Sequence, residues 1–202
     1  MTELSGAGRQ PESVDVIGRA LVITASNRAA TGVYADRGGP VLAEGLRNWG
    51  FTVDGPLVVP DGEPVAEALR DAVRQQYDVV LTTGGTGLSP TDRTPEATRA
   101  VLEREVPGLA EAIRYRGTSA GIPTAALSRG LAGLAGRTLI VNLPGSPGGC
   151  RDGLAVLDGV LLHAVDQIRG GDHPSASPSS SGFPGSLGSS GSSDLAEPVH
   201  RG

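Results

Sequence analysis

The sequence predicts an α/β fold, a three-layer domain in which a mostly parallel central sheet carries helices on both faces. Short apolar runs alternate along the chain with longer segments of helical periodicity, an order typical of strands joined by helical crossovers. The runs are nearly continuous in apolar residues, as expected for strands that are buried on both faces of a sheet. Two loops rich in glycine and other small residues each follow such a run, which places both loops at strand ends.

Hydrophobic spacing predicts the individual elements. One helix carries apolar residues at positions 41–49 and ends at Gly50, because glycine commonly follows the last helical residue. Another helix opens on Pro107 and closes at Gly117. The expected strands are 20–24, 51–59, 78–83 and 137–143, and the other expected helices are 65–73, 95–105 and 150–169.

The chain divides into three parts by composition. Residues 1–18 form a polar leader that we expect to be flexible, and residues 19–172 form the single folded domain. Residues 173–202 form a tail dominated by Ser, Gly and Pro. Because the tail has too few apolar groups to offset the entropy cost of ordering, we expect it to be disordered.

Charge and composition exclude several classes of protein. A net charge of −5, with only 3% aromatic residues, argues against a nucleic-acid surface or a stacking platform for bases. No run approaches the roughly 20 apolar residues that span a bilayer, and no export signal opens the sequence, so a cytoplasmic protein is expected. A lone cysteine, Cys150, excludes an intrachain disulfide and a metal site built from cysteines.

The chain contains no lysine, and all 17 of its basic residues are arginine. A Walker A loop requires a lysine that reaches the β- and γ-phosphates of the nucleotide, so this is not a P-loop NTPase. Chemistry through a lysine Schiff base is excluded for the same reason. Nucleotide binding, if present, must therefore use other residues.

The segment 81–98 carries the strongest chemical signal. The strand breaks into a loop of glycines and hydroxyl residues, after which Thr94 is expected to cap a helix that begins at Pro95. Glycines let an anion approach the backbone N–H groups at a helix N-terminus. Asp92 lies in the same loop, and a carboxylate beside an anion site suits a bridging Mg²⁺.

A second small-residue loop, 144–149, follows the last strand. Ligands of open parallel sheets bind outside the carboxyl ends of the strands. We therefore expect the two glycine-rich loops to converge on one site.

Four motifs resemble those of the Mog and MoaB family, whose members handle molybdopterin, the pterin of the molybdenum cofactor. They occur in the expected order, and the resemblance covers about residues 18–170, so that 19–172 is identified as a molybdopterin-binding domain. A further segment, Ser26–Tyr34, resembles the opening motif of the Mog branch, although the MoaB branch stays open. The four motifs are Thr82–Gly87, Asp92–Thr98, Leu127–Arg129 and Asn142–Gly145.

The resemblance implies a molybdopterin adenylyltransferase. Such an enzyme uses Mg²⁺ and ATP to convert molybdopterin into adenylyl-molybdopterin with release of pyrophosphate. It also implies a homotrimer and a molybdenum insertase as a possible partner, with no role for nucleic acid or membrane. A catalytically silent molybdopterin carrier or scaffold remains an alternative, as does action on another nucleotide-like substrate, as in the related domain of competence-damage proteins.

The resemblance also implies roles for individual residues. Asp61 and Asp92 match acidic positions at the nucleotide and metal site, and Ser128 matches a polar position in the substrate site. From the residues alone, turn chemistry explains a loop aspartate more often than catalysis does, and a tight turn is an alternative for the glycines. A serine at a strand end, as expected for Ser128, is also more often structural. Arg93 and Arg129 are candidates for phosphate pairing or for solvated surface positions. The nucleotide and substrate residues so implied are Ser26, Thr83, Gly84, Gly85, Thr86, Gly87, Thr94, Glu96, Arg129, Pro144, Gly145 and Ser146.

The chain departs from the family pattern at Asn27, where many relatives carry aspartate. If that aspartate contributed charge to metal binding, Asn27 would weaken the site. If it only organises the loop, the amide oxygen of Asn27 serves equally well, and we favour this second interpretation.

Overall fold

The computed structural model describes residues 16–33 and 35–171. The predicted tail and most of the predicted leader lie outside these residues. Of the helices in the described part, none is long and apolar enough to cross a membrane. The strands are β1 Gly18–Ala25, β2 Phe51–Val59, β3 Val79–Thr83, β4 Arg104–Glu105, β5 Ala132–Ala135 and β6 Thr138–Leu143. The helices are α1 Asn27–Ala30, α2 Gly39–Asn48, α3 Glu63–Arg74, α4 Thr94–Arg99, α5 Pro107–Ser119, α6 Pro147–Leu157 and α7 Leu161–Ile168, with a 3₁₀ helix at Pro123–Leu127.

The six strands form one sheet in the order β2-β1-β3-β6-β5-β4. The first four strands of that order are parallel, whereas β5 pairs antiparallel with β6 and β4 pairs antiparallel with β5. The prediction of a mostly parallel sheet is confirmed. Its carboxyl-end edge is formed by the ends of β1, β2, β3 and β6.

The central strands separate two apolar cores, because successive side chains of a strand point to opposite faces. On one face Ala20 and Val22 pack with helices α2, α5, α6 and α7. On the other face Leu21 and Ile23 pack with α3 and α4. The three-layer arrangement predicted from the sequence is therefore present.

The structure corrects two of the predicted helices. The helix expected at 95–105 ends at Arg99, because the chain turns to pair with β5, where the Glu103 N–H donates to the Leu134 carbonyl at 2.9 Å. The helix expected at 150–169 begins at Pro147 and is interrupted between Leu157 and Leu161, so that it forms α6 and α7. The strands β4 and β5 were not predicted.

Candidate functional site

A cleft of about 500 Å³ lies at the carboxyl-end edge of the parallel strands. The two glycine-rich loops meet there, as predicted. The Gly84 N–H donates to the Leu143 carbonyl at 3.2 Å, and a Cβ added to Gly145 would lie 3.3 Å from the Gly84 Cα. The predicted site residues that line this cleft are Ser26, Asp61, Thr83, Gly84, Gly85, Asp92, Gly145 and Ser146.

The first glycine-rich loop requires glycine at two successive positions. Gly84 has φ +91° and Gly85 has φ +62°, values that residues with a side chain rarely adopt. A Cβ at Gly84 would overlap the carbonyl oxygen of Ala25, and a Cβ at Gly85 would overlap the Asp61 carboxylate. These glycines therefore let the loop pack directly against the end of β1 and against Asp61. The Gly84 N–H is already engaged by Leu143, so this amide is not the ligand donor that the sequence suggested.

Asp61 is half-buried beside the loop, two residues after β2. Its Oδ1 accepts hydrogen bonds from the Gly62 N–H at 2.7 Å and from the Thr94 hydroxyl at 3.1 Å. Burial raises the pKa of Asp61, and the negative charge of Asp92 adds to that rise. Hydrogen bonds from Gly62, from Thr94 and from the backbone of Arg93 oppose the shift in pKa without cancelling it.

Asp92 approaches the same cleft from the far end of the loop. Its Oδ2 accepts from the Ser89 N–H at 3.0 Å, which closes a turn within the loop. The two carboxylates, Asp61 and Asp92, therefore line one cavity and repel each other. Such an arrangement favours a cation between or beside them.

Thr94 does not act as the predicted helix cap. Helix α4 begins at Thr94 itself, Arg93 is the N-cap residue, and no side chain caps the helix. Thr94 is fully buried, and its hydroxyl donates to Asp61 instead. The sequence pattern located this residue at the site but assigned it the wrong partner.

Among the predicted residues that do not line the cleft, Thr94, Glu96 and Arg129 support the loop or Asp61 instead. The Arg129 Nε donates to the Gly87 carbonyl at 2.8 Å, and its Nη2 donates to the Asp92 carbonyl at 2.6 Å. Its Nη1 pairs with the Glu96 carboxylate. Thr94 donates from its hydroxyl to Asp61 and from its N–H to the Gly85 carbonyl of the loop at 3.2 Å. Arg93 is exposed and also lies outside the lining of the cleft.

A second cavity, of about 370 Å³, adjoins the cleft and shares Ser146 with it. Its lining is largely apolar and includes Leu88, Ile113, Ile122 and Leu127. The predicted site residues that line this cavity are Thr86, Gly87, Ser128, Pro144 and Ser146.

Ser128 therefore lies in the second cavity, apart from Asp61 and Asp92. It follows the 3₁₀ helix, where the sequence suggested a strand end. Its Oγ accepts from the Gly130 N–H at 3.3 Å. A serine in an apolar cavity provides a polar contact for a ligand that is otherwise held by apolar surface.

Residues between β1 and α2 complete the cleft, and sequence reasoning missed most of them. Arg28 and Arg37 line the cavity and bring positive charge to it. Asp36 also lines it, and its carboxylate accepts from the N–H groups of Gly38 and Gly39 at 3.1 and 2.9 Å. An aspartate two positions before a pair of glycines is a turn signal, because its carboxylate can accept from backbone N–H groups just ahead of it, and this signal could have identified Asp36.

Asn27 organises the loop through its amide oxygen, which is the interpretation that we favoured from the sequence. Its Oδ1 accepts from the Asp61 N–H at 3.1 Å and so links the opening loop to the acidic residue after β2. The Ser26 N–H donates to the Val59 carbonyl at 3.0 Å, and the Ser26 Oγ caps α1 by accepting from Ala29. Asp61 is therefore positioned through its backbone by Asn27 and through its side chain by Thr94.

A family model and three known proteins to which this chain is similar are described by molybdopterin or by molybdenum cofactor biosynthesis. A family model described as a probable molybdopterin binding domain matches residues 21–163. A molybdopterin adenylyltransferase of Helicobacter pylori strain J99 is 37% identical over 156 residues, which are 74% of this chain and 86% of that protein. A molybdenum cofactor biosynthesis bifunctional protein of Synechococcus elongatus is 38% identical over 76% of this chain, which spans only 48% of that relative. The solved structure of the molybdopterin biosynthesis Mog protein from Mycobacterium ulcerans is 58% identical, with a TM-score of 0.72 over 75% of this chain and 99% of that one.

Proposed function

The chain belongs to the molybdopterin-binding-domain family, and on that premise we propose that it is a molybdopterin adenylyltransferase of the Mog branch in molybdenum cofactor biosynthesis. One observation carries the proposal: Asp61, Asp92 and the first glycine-rich loop share a cleft with two arginines, Arg28 and Arg37. This combination of acidic and basic groups suits the joining of two phosphate-bearing substrates.

The proposed reaction transfers an adenylyl group. A terminal phosphate oxygen of molybdopterin attacks the α-phosphorus of ATP, a new P–O bond forms, and the bond between the α-phosphorus and the bridging oxygen breaks. Pyrophosphate leaves with the electron pair of that bond. The attacking phosphate is already an anion at neutral pH, so the enzyme needs no strong general base. Its task is to align two polyanions and to offset their repulsion.

The residues of the cleft are suited to that task. Arg28 and Arg37 would balance phosphate charge, because a guanidinium matches phosphate oxygens in geometry as well as in sign. Gly85 lets the Asp61 carboxylate lie directly against the backbone of the loop, because a side chain at this position would overlap that carboxylate. Ser26 and Ser146, at the N-termini of α1 and α6, would provide further polar contacts.

Mg²⁺ fits the acidic part of the cleft. The donor set consists of carboxylate oxygens, the pKa of Asp61 is raised by burial and by the charge of Asp92, and a cation would relieve that repulsion. In the part of the chain that the structure describes, no three His, Cys, Asp or Glu side chains form a metal cluster. Mg²⁺ commonly takes one or two carboxylates together with substrate phosphates, so Asp61 and Asp92 would hold it along with ATP. When bound, Mg²⁺ supplies positive charge to the phosphates of the nucleotide.

The two cavities suit the two substrates. The polar cleft would hold the reacting phosphates, and the apolar second cavity would hold a flat ring, with Ser128 as a polar contact. The glycine-rich loop lies between them, with Gly85 facing the cleft and Gly87 facing the second cavity. ATP and molybdopterin each combine a ring with phosphate, so their phosphates would meet at this boundary.

The proposal extends to assembly and place in the cell. We place the enzyme in the cytoplasm as a homotrimer that passes its product to a molybdenum insertase. Exposed apolar side chains support association with other chains, among them Tyr115 at 74% and Val33 at 69% exposure. The Synechococcus elongatus relative, described as bifunctional and about twice as long as the matched segment, is consistent with a second activity acting beside this one.

One assay separates this function from its alternatives. The purified chain is incubated with molybdopterin and Mg-ATP, and pyrophosphate release is measured. The molecular mass of the product is then determined by mass spectrometry. An adenylyltransferase gives pyrophosphate and adenylyl-molybdopterin in equal amounts. Molybdopterin binding without pyrophosphate would identify a carrier, and failure to form adenylyl-molybdopterin while another nucleotide-like substrate is converted would redirect the assignment. Asp92→Asn serves as the inactive control.

A further inference from the structure

We propose that Arg129 is a positioning residue that fixes the loop carrying Asp92, and that Arg114 in turn fixes the segment carrying Arg129. The inference rests on the proposed function, since it assigns a role within that site. It replaces the expectation that Arg129 pairs directly with phosphate.

Arg129 contacts both ends of an exposed segment of the loop. Its Nε donates to the Gly87 carbonyl at 2.8 Å and its Nη2 to the Asp92 carbonyl at 2.6 Å. Between these two points, residues 88–91 are exposed and have little packing to hold them. The guanidinium therefore fixes the distance between Gly87, at the second cavity, and Asp92, at the cleft.

The remaining contacts of Arg129 keep the guanidinium in this orientation. Its Nη1 pairs with Glu96 in the first turn of α4, and its backbone N–H donates to the Thr86 carbonyl at 2.8 Å. All three nitrogen atoms of the guanidinium thus contact the loop or the helix that follows it. A rigid fork of five donors can meet several acceptors at once, which a lysine ammonium cannot do in the same geometry.

Arg114 of α5 fixes the backbone on both sides of Arg129. Its Nη1 donates to the Ser128 carbonyl at 3.4 Å and to the Gly130 carbonyl at 3.1 Å, on either side of Arg129. The next residue, Leu131, is tied to β6 by a hydrogen bond from its N–H to the buried Asn142 Oδ1 at 3.0 Å. A continuous set of contacts therefore runs from α5 and β6 through Arg129 to the Asp92 loop.

The position of Arg129 argues against a direct phosphate contact. It lines a third cavity, with Arg114 and Ser128, and it lines neither the polar cleft nor the apolar second cavity. A residue in this position acts on the reaction through Asp92. Displacement of a reacting group by a small distance costs about 100-fold in rate, so the loss of Arg129 should appear in kcat.

Hydrogen exchange tests the positioning role without any substrate. Arg129→Gln should speed amide exchange in residues 87–93 of the full chain and leave β3 and β6 unchanged. Arg74→Gln is the matched control, because Arg74 forms a comparable exposed ion pair with Asp71 on α3. Unchanged exchange in residues 87–93 of Arg129→Gln would overturn the proposal. Should this variant fail to fold, Arg129→Lys makes the same test, and it should show partial loss of protection.

Kinetics test whether Arg129 acts through Asp92. We expect Arg129→Gln to lower kcat for pyrophosphate release about 100-fold with little change in the KM for ATP. In an Asp92→Asn background, adding Arg129→Gln should lower the single-turnover rate of pyrophosphate release only slightly further. A raised KM with unchanged kcat, or multiplied losses in the double variant, would assign a direct phosphate contact instead. If the unaltered protein releases no pyrophosphate, the proposed function fails, while the exchange experiment still decides the role of Arg129.

Discussion

The two glycine-rich loops look alike in sequence, yet the structure holds them in different ways. The first follows β3 and is fixed by groups from elsewhere in the chain, namely Asp61 and Arg129. The second follows β6 and is held in part by its own residues, because the Ser146 Oγ caps α6 by accepting from the Gly149 N–H at 3.1 Å. The buried Thr83 hydroxyl also donates to the Pro144 carbonyl at 2.8 Å.

The two glycine-rich loops are therefore suited to different roles. The first loop carries a carboxylate and two glycines with positive φ, and the helix after it has no side-chain cap. Such a loop depends on distant residues for its shape and can place charge at a defined point. The second loop has a local cap and forms a wall shared by both cavities. Substitutions in the first loop should therefore have their main effect on activity, whereas the local cap makes stability the main effect of substitutions in the second.

The largest effect is expected at Asp92. Asp92→Asn keeps the size of the side chain and can still accept from Ser89, but it removes the negative charge from the cleft. We expect adenylyl transfer to fall by about two to three orders of magnitude with an unchanged melting temperature. Asp71→Asn, on the exposed surface of α3, is the control and should keep full activity. Near-normal turnover of the Asp92 variant would remove this residue from the mechanism.

Glycine substitutions distinguish the loops next. Gly85→Ala introduces a side chain at φ +62° and against Asp61, so we expect a loss of about 1–3 kcal/mol in stability together with a large loss of activity. Gly148→Ala, in the first turn of α6, meets no atom within 4 Å and should raise stability by about 0.5–1 kcal/mol. Urea unfolding of both variants measures the contrast. Equal effects would show that the two loops are not held differently.

Substitutions at the N-cap residues of α6 and α4 should differ less in their effect on stability. Ser146→Ala removes the cap of α6 and should cost about 1 kcal/mol of stability. Arg93→Ala, at the equivalent position before α4, removes no capping hydrogen bond and should change stability by less than about 0.5 kcal/mol. Thermal melts of the two variants provide the measurement. A larger loss at Arg93 than at Ser146 would reverse the comparison.

The smallest effect is the pH dependence of stability at Asp61. Because burial raises the pKa of Asp61, the folded chain holds that proton more tightly than the unfolded chain does. The ionised carboxylate therefore destabilises the fold at neutral pH, and this penalty disappears as the pH falls through the raised pKa. Asp61→Asn should be more stable than the parent at pH 7, with a gain that shrinks in acid.

Asp54 gives the matched opposite case. The hydrogen bond from Tyr77 and the nearby Arg19 lower the pKa of the exposed Asp54 and outweigh a small opposing effect of desolvation, so its ionised form stabilises the fold above the ordinary aspartate pKa. Asp54→Asn should lose stability at neutral pH, and the loss should disappear in acid. Urea unfolding at several pH values compares the two variants, and a change of the same sign in both would contradict the account.

The sequence predicts the parallel half of the sheet well for a physical reason. Strands β1, β3 and β6 are buried on both faces, so they appear as continuous apolar runs. The antiparallel strands give no comparable signal. Strand β4 has only two residues, and β5 consists of small residues and one leucine, too short a pattern to show a period.

The residues of the site also differ in how well the sequence predicts them. Gly84 directly follows β3 and Asp61 lies two residues after β2, so the topology of the sheet brings both to the cleft. Their motifs also make them visible in the sequence. Asp36 and Arg37 reach the cleft only because the chain between β1 and α2 returns to it. Two of the partners of Arg129 are loop carbonyl oxygens, which no pattern of side chains can indicate.

A crystal structure with molybdopterin, Mg²⁺ and a non-hydrolysable ATP analogue tests the central claim most directly. We expect the phosphates to occupy the polar cleft beside the carboxylates of Asp61 and Asp92, with a ring of one substrate in the neighbouring apolar cavity. Nucleotide bound elsewhere on the chain, with both carboxylates turned away from its phosphates, would contradict it.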